Sequence, residues 1–285
     1  MERRGRAERC DCPVCGGFDL DATVAEIDLA AAEFGAATDA FDAELLVASF
    51  LSIGVELSPG VGRAFAESLV ARFETRGDAA GLGMLRALGV LTAGPVARAC
   101  ARAADRLTAL GVSAPDWAGE LTEPVAAGDF LVLTDSQAPR CLLYGTFRRA
   151  GREHGFLLSV DDLDCGAVQE ILPLGEEELA GALGMAHELC PSSSEAIAPD
   201  DFRLRAVRAL YARALHDAQL AALGLEDDDY GDSADGMPPY GAAALVLQTR
   251  LSGLSASKLP MLPHGRHCEI LGKVVAPLLG CVAGS

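Results

Sequence analysis

Cys10-Asp11-Cys12-Pro13-Val14-Cys15-Gly16-Gly17 is the stretch whose residue types and spacing come nearest to a chemical site. Its Cys12-Pro-x-Cys15-Gly portion has the form of a zinc knuckle. Proline and glycine turn the backbone so that two thiolates face one ion. A knuckle supplies half of a tetrahedral site. Cys10 is a third available ligand at a tight C-x-C spacing. The remaining ligand must come from elsewhere, and His264, His267 and Cys268 near the other end of the chain are the candidates. On this reading zinc is the cofactor and ties the two chain ends together. The alternatives are a tail carrying free thiols, the commoner outcome for a lone knuckle, and a redox or metal-relay role.

A second group consists of carboxylates. Asp161, Asp162 and Asp164 follow directly on a strand-like run, and Asp135 follows another. If the two strands are neighbours, these oxygens converge as a cation site, although their spacing is not that of a calcium loop. The ordinary alternative is a strand-end turn in which aspartate accepts backbone amides. His154 opens a strand, where it is a candidate catalytic base. A base needs a nucleophile partner within hydrogen-bond reach, and Ser159 and Cys141 are the candidates for it.

Other catalytic signatures fail on inspection. His187-Glu188-Leu189-Cys190 starts like a zincin helix, but Pro191 stands where the second histidine belongs. Ser255-Ala256-Ser257-Lys258 matches S-x-x-K without the accessory motifs of that chemistry. Gly60-Val61-Gly62 opens a helix with no apolar strand before it, so dinucleotide binding is unsupported. There is no Walker A sequence and no G-x-S-x-G. His216 beside Asp217 reads as a solvent-exposed pair. Glu226-Asp227-Asp228-Asp229 with Asp232 and Asp235 reads as a solvated loop, with docking onto a basic partner as its alternative.

Bulk composition narrows the partners. The 285 residues carry 41 acidic and 23 basic side chains, a formal charge of −18. Such a field repels phosphate backbones, so nucleic acid is disfavoured. The two lysines are Lys258 and Lys273, and the other positive charges are arginines. The charged N-terminus has no apolar core of a secretory signal. The apolar run Ile270 to Ala283 is broken by Lys273 and Pro277 and falls short of the roughly 18 to 20 residues that span a bilayer. No membrane association is expected. Nine cysteines at irregular spacing read as reduced thiols, and the cytoplasm is the expected compartment.

The elements that must position these residues are mostly helical. Asp39 is a plausible N-cap for a helix bearing Phe41, Leu45, Leu46 and Phe50. Ser58-Pro59 opens a second, with Val61, Phe65, Leu69, Val70 and Phe73 at helical spacing. Gly77 stops it, and Asp78 starts a third with Leu82, Leu85, Leu88 and Leu91. Gly94-Pro95 precedes a fourth with Val96, Cys100, Ala103, Leu107 and Leu110. The period then changes, and the runs 130–133, 141–147 and 155–160 read as an antiparallel meander, extended by 168–172. A helix over 176–189 should cover one face. Pro191-Ser192-Ser193-Ser194 reads as a linker. Asp200-Asp201 caps a helix over 202–223 with Leu204, Val207, Tyr211, Ala214, Leu215 and Ala218 inward. Helices over 239–254 and 268–279 complete the chain.

The expected fold is therefore α+β and mostly α, with helical hairpins flanking a small antiparallel β-meander of three or four strands. The expected regions are a Cys-containing tail (1–37), a helical bundle (38–118), a small sheet plus helix (119–190) and a C-terminal helical region (191–285).

Several stretches resemble a family of alanine-rich actinobacterial proteins. They are Asp42-Ala43-Glu44-Leu45-Leu46, Ala104-Asp105-Arg106-Leu107, Val112-Ser113-Ala114-Pro115-Asp116-Trp117-Ala118, the run from His154 through Gly155-Phe156-Leu157-Leu158-Ser159-Val160 to Asp161, and Asp200-Asp201-Phe202-Arg203. Together they span residues 40–220. The resemblance implies an architecture and carries no assigned activity. Where these relatives have valine-aspartate-histidine followed by a glycine pair, this chain has Val160-Asp161-Asp162 and a single Gly166. A role held by that histidine is absent here. The expected function is a non-catalytic protein-interaction or binding protein with an acidic surface. The rivals are a zinc-binding protein and an enzyme whose site lies at the sheet edge, built from His154 and the Asp161–Asp164 group.

Overall fold

The computed structural model describes residues 20–30, 37, 39–55, 59–222 and 237–256. The chain divides into two compact units, Met1–Thr122 and Glu123–Ser285. Among the described residues, no helix is long and apolar enough to cross a membrane.

The first unit holds α1 (Leu20–Ala30), α2 (Ala40–Val55), α3 (Pro59–Arg76), α4 (Ala79–Leu91), α5 (Gly94–Ala109) and a 3₁₀ segment, Asp116–Thr122. Local chemistry sets its boundaries. Asp39 accepts the Asp42 N–H at 2.9 Å at the start of α2. Asp78 accepts the Gly81 N–H at 2.8 Å and caps α4. Gly77 and Gly111 end α3 and α5 in the left-handed conformation, at φ 68° and 86°. α4 is the centre of the unit: it touches α2, α3, α5 and the 3₁₀ segment. Leu82, Met84, Leu85 and Leu88 are fully buried on it, each contributing about 1.5–3 kcal/mol. Gly83 lets Trp117 sit directly on this helix, since a Cβ there would lie 2.8 Å from the indole.

Two expected faces are shifted. α2 buries Ala43, Val47, Ala48 and Leu51 with Phe41 and Phe50, while Leu45 and Leu46 are half-buried. Leu110 follows the last turn of α5 and is 79% exposed. Ser58, the expected cap of α3, lies outside the described residues.

The second unit is built on a five-stranded antiparallel sheet of order β4-β3-β2-β1-β5. The strands are β1 (Ala126–Thr134), β2 (Arg140–Arg149), β3 (Arg152–Asp161), β4 (Ala167–Leu174) and β5 (Ser193–Ala196). The fold is thus α+β, with one strand more than the three or four expected. The first four strands form the meander. β5 adds to the edge of β1, with Leu131 opposite Ala196 and Thr134 opposite Ser193. It arises from the serine run read as a linker. Its residues are all exposed and carry no apolar alternation, so ladder hydrogen bonds alone make it a strand. Pro173 is tolerated in β4 because that strand is the opposite edge.

Helix α6 (Leu179–Leu189) covers one face of the sheet, packing Leu179, Ala182 and Ala186 on Leu133, Leu142, Tyr144, Leu157 and Leu174. Helix α7 (Pro199–Ala222) contacts β1, β2 and β4, and α8 (Tyr240–Gly253) contacts β4 and α7. On that second face Phe130, Phe147, Phe156 and Phe202 form an aromatic cluster. The inward stripe of α7 is Phe202, Ala206, Ala209, Leu210 and Arg213 rather than the expected Leu204, Val207 and Tyr211, and Tyr211 is 51% exposed. Phe202, Ala206, Ala209 and Leu210 thus face the sheet, while Leu204, Val207 and Leu215 are half-buried at the margin. Arg203 donates to the Leu254 carbonyl and ties α7 to the end of α8.

The β2–β3 hairpin turns through Ala150 and Gly151, both at positive φ (51° and 84°), between the paired Arg149 and Arg152. That is the two-residue turn that favours Asn-Gly or Gly-Gly. An L-residue such as Ala150 is strained there by about 1 kcal/mol. Ala150→Gly is therefore expected to stabilise this unit by about that amount, read as a higher urea midpoint at unchanged slope. An unshifted or lower midpoint would show that the turn stores no such strain.

Candidate functional site

A cleft of about 460 Å³ opens between the α6 face of the sheet and the segment that leads from β5 into α7. Its construction begins in β1, where the register with β2 shifts between Ala127 and Phe130. Gly128 sits in this bulge because a Cβ there would lie 2.2 Å from Thr146 Oγ1. The bulge brings the Asp129 N–H to Thr146 Oγ1 at 2.9 Å. That hydroxyl in turn donates to Glu153 Oε1 at 3.0 Å. One threonine, itself buried, thus links β1 to β3 and orients the Glu153 carboxylate.

Gly155 performs the equivalent task for the helix. A Cβ on it would meet Leu179 Cδ2 at 2.8 Å, so α6 approaches closely where β3 lacks a side chain. Leu131, Leu179, Leu183 and Ile197 supply the apolar walls, and Asp129, Tyr144, Thr146 and Glu153 the polar part. Tyr144 is only 5% exposed. Burial raises the pKa of its phenol, and the charges of Glu153 and Asp129 raise it further. The phenol stays protonated and can donate. At the rim, Arg148 Nη2 stands 3.8 Å from Glu153 Oε1 with both side chains partly solvated, a separation at which an exposed pair contributes little.

No family model, curated protein or solved structure matches the chain. The chemistry of the cleft therefore rests on its own residues. It holds two carboxylates, a phenol and a threonine hydroxyl, but no histidine, thiol or lysine among its lining. Such a set recognises hydrogen-bond donors and positive charge.

The residues singled out from sequence fall elsewhere. His154 is on β3 as expected, but it points to the opposite face from the cleft, with Phe156 and Leu158. It is 4% exposed, its ring stacks on Phe147, and its Nε2 accepts a hydrogen bond from Arg250 Nε at 2.8 Å. Burial, reinforced by the charges of Arg250 and Arg149, pushes its pKa down to about 2. Ser159 faces the other side of the sheet. Cys141, opposite Val160 at the far end of β3, is six pairs along the ladder from the Phe147–His154 pair, about 20 Å at strand spacing.

The carboxylates are occupied as turn-formers. Asp161 Oδ1 accepts the Leu163 N–H at 2.8 Å. Asp164 accepts from Gln169 and pairs with His216 Nδ1 at 3.2 Å. Asp135 accepts from the Gln137 N–H and the Ser192 hydroxyl. The expected His216–Asp217 pair is absent as such, because Asp217 takes Arg213 at 2.6 Å. His154 and the Asp161–Asp164 group thus lie at opposite ends of β3 and form no common site. Among the described residues, no three His, Cys, Asp or Glu side chains are grouped to hold a metal ion. Cys10, Cys12, Cys15, His264, His267 and Cys268 lie outside the described residues, as do the acidic run Glu226–Asp235 and Lys258.

The cleft residues left faint marks in the sequence. Gly128-Asp129 inside an apolar run signals a bulge. Thr146 and Glu153 stand at positions whose parity matches buried Leu142 and Leu157, where polar side chains are uncommon.

Proposed function

We propose that this chain is a non-catalytic binding protein that engages a protein partner on the α6 side of its sheet. The observation that carries the proposal is the cleft itself: apolar walls with a small convergent polar group are the usual form of a recognition pocket. The outer face of α6 adds to it. Met185 and Leu189, one turn apart on α6, are 42% and 47% exposed, and Ala180, Gly181 and Gly184 beside them are also exposed. Met185 and Leu189 give α6 exposed apolar side chains on the same face of the sheet as the cleft, beside the exposed His187 and Glu188. His154, the base of the sheet-edge enzyme reading, is committed to Arg250.

The zinc-binding alternative rests on the spacing of Cys10, Cys12 and Cys15. It concerns a different part of the chain and is compatible with this function.

The test is affinity capture from the source cell with the wild-type chain and with Met185→Asp/Leu189→Asp, both having native circular dichroism. Loss of the specific co-purifying protein from the double variant is the expected result. Recovery of the same proteins by both chains would refute a partner on this face.

A further inference from the structure

We propose that the cleft is a pocket for a single basic side chain, a lysine or arginine of the partner segment. The charged head would lie among Asp129, Glu153 and the Tyr144 hydroxyl, and the aliphatic stem along Leu131 and Leu183. This rests on the binding-protein reading above and adds the chemistry of the ligand.

Three observations converge on a cation. Tyr144 is 95% buried by its 5% exposure and lines the cavity, yet its hydroxyl has no hydrogen-bond partner among the described residues. The hydroxyl oxygen is thus open to the cleft at the end of a buried ring, where a ligand donor can reach it. Glu153 is already held by Thr146 through Oε1, which fixes its carboxylate before any ligand arrives. The Asp129 carboxylate, on the bulge beside it, has no hydrogen-bond or ion-pair partner among the described residues.

The alternatives fit less well. Among the described residues, no third His, Cys, Asp or Glu joins the two carboxylates as a metal-ligand group. An anion would meet two carboxylates in a chain of net charge −18. The apolar walls favour a head group on an alkyl stem, because such stems lie along apolar surface while the charge stays paired.

The experiment titrates the full-length ¹⁵N-labelled chain with three probes. These are the capped tripeptide Leu-Lys-Leu, its Leu-Gln-Leu twin, and n-butylammonium. Saturable shifts of the Asp129, Thr146 and Glu153 amides by the lysine peptide are expected, with affinity about tenfold or more above the glutamine twin. Glu153→Gln keeps an oxygen for Thr146, and Asp129→Asn keeps the bulge. This double variant should lose that preference while its remaining spectrum is unchanged. Tyr144→Phe should weaken the lysine peptide several-fold.

Equal binding of the lysine and glutamine peptides would overturn the proposal, as would shifts confined to residues outside the cleft. Equal affinity for n-butylammonium and the lysine peptide would overturn the assignment to a partner segment. If Asp129→Asn/Glu153→Gln still captures the partner that Met185→Asp/Leu189→Asp loses, the basic-side-chain pocket fails and the interaction face stands. Capture insensitive to the α6 substitutions would instead remove the binding face on which the pocket depends.

Discussion

Phe202→Ala lowers the stability of the sheet unit by about 3–5 kcal/mol, the cost of a large aromatic deleted from a core that cannot close over the gap. Phe202 is fully buried. Its ring lies 4.6 Å from Phe130 and 6.5 Å from Phe147, centroid to centroid. Directly beneath it is Gly145, where a Cβ would come within 2.6 Å of Phe202 Cζ and 2.9 Å of Phe130 Cδ1. The ring therefore fills a depression that β2 makes by omitting a side chain. With alanine at 202, no neighbour on a hydrogen-bonded central strand can move in. The measurement is amide exchange of β2 and β3, which reads the opening of this sheet directly. Phe202→Leu should cost clearly less, because it retains most of the volume. A loss below about 1 kcal/mol for the alanine variant would mean that α7 is not the second layer of the core.

Acidification should weaken the same unit through His154, by about 2 kcal/mol at pH 5 relative to neutral pH. The folded imidazole titrates at about 2, mainly because it is buried, with Arg250 and Arg149 adding repulsion. In the unfolded chain the group returns to an ordinary pKa of about 6.5. As pH falls below about 6.5, the unfolded chain binds a proton that the folded chain refuses. Stability is thus fully present above that pH and declines steadily until the folded pKa near 2 is approached. His154→Gln offers Arg250 an acceptor without titrating. The difference in unfolding free energy between wild type and this variant should change by about 2 kcal/mol between pH 7.5 and pH 5. A difference independent of pH would show that the imidazole is not held neutral. The same burial keeps the His154 imidazole neutral near neutral pH, with Nε2 accepting from Arg250.

How much of this was legible beforehand depends on how far apart the determining residues stand. Asp39, Asp78, Gly77, Pro95 and Gly111 set helix ends through hydrogen bonds or φ values within a few residues of themselves, and each was readable from its neighbours. The four meander strands were readable for the same reason, since apolar runs of strand length between turn residues are local signals.

β5 was not legible. Ser193–Ala196 has no strand pattern and pairs only because β1, some 60 residues earlier, presents an open edge. The inward stripe of α7 was misread because it is set by where Phe202 seats over Gly145, a contact between distant segments, which turns Ala206 and Ala209 inward and Tyr211 outward.

The chemically suggestive residues show the division most clearly. From sequence, His154 and Asp161 sit at the two ends of one short run and look like partners. The pleat turns them to opposite faces, and the strand separates them by its length. Asp129, Tyr144, Thr146 and Glu153 come from three strands and look unrelated. A one-residue bulge and a threonine hydroxyl bring them together. Local hydrogen bonding and periodicity thus determined where this chain is helical or extended. Which side chains meet was decided by strand register and the close approaches made at Gly128, Gly145 and Gly155, because contacts between distant segments exist only once the sheet has formed.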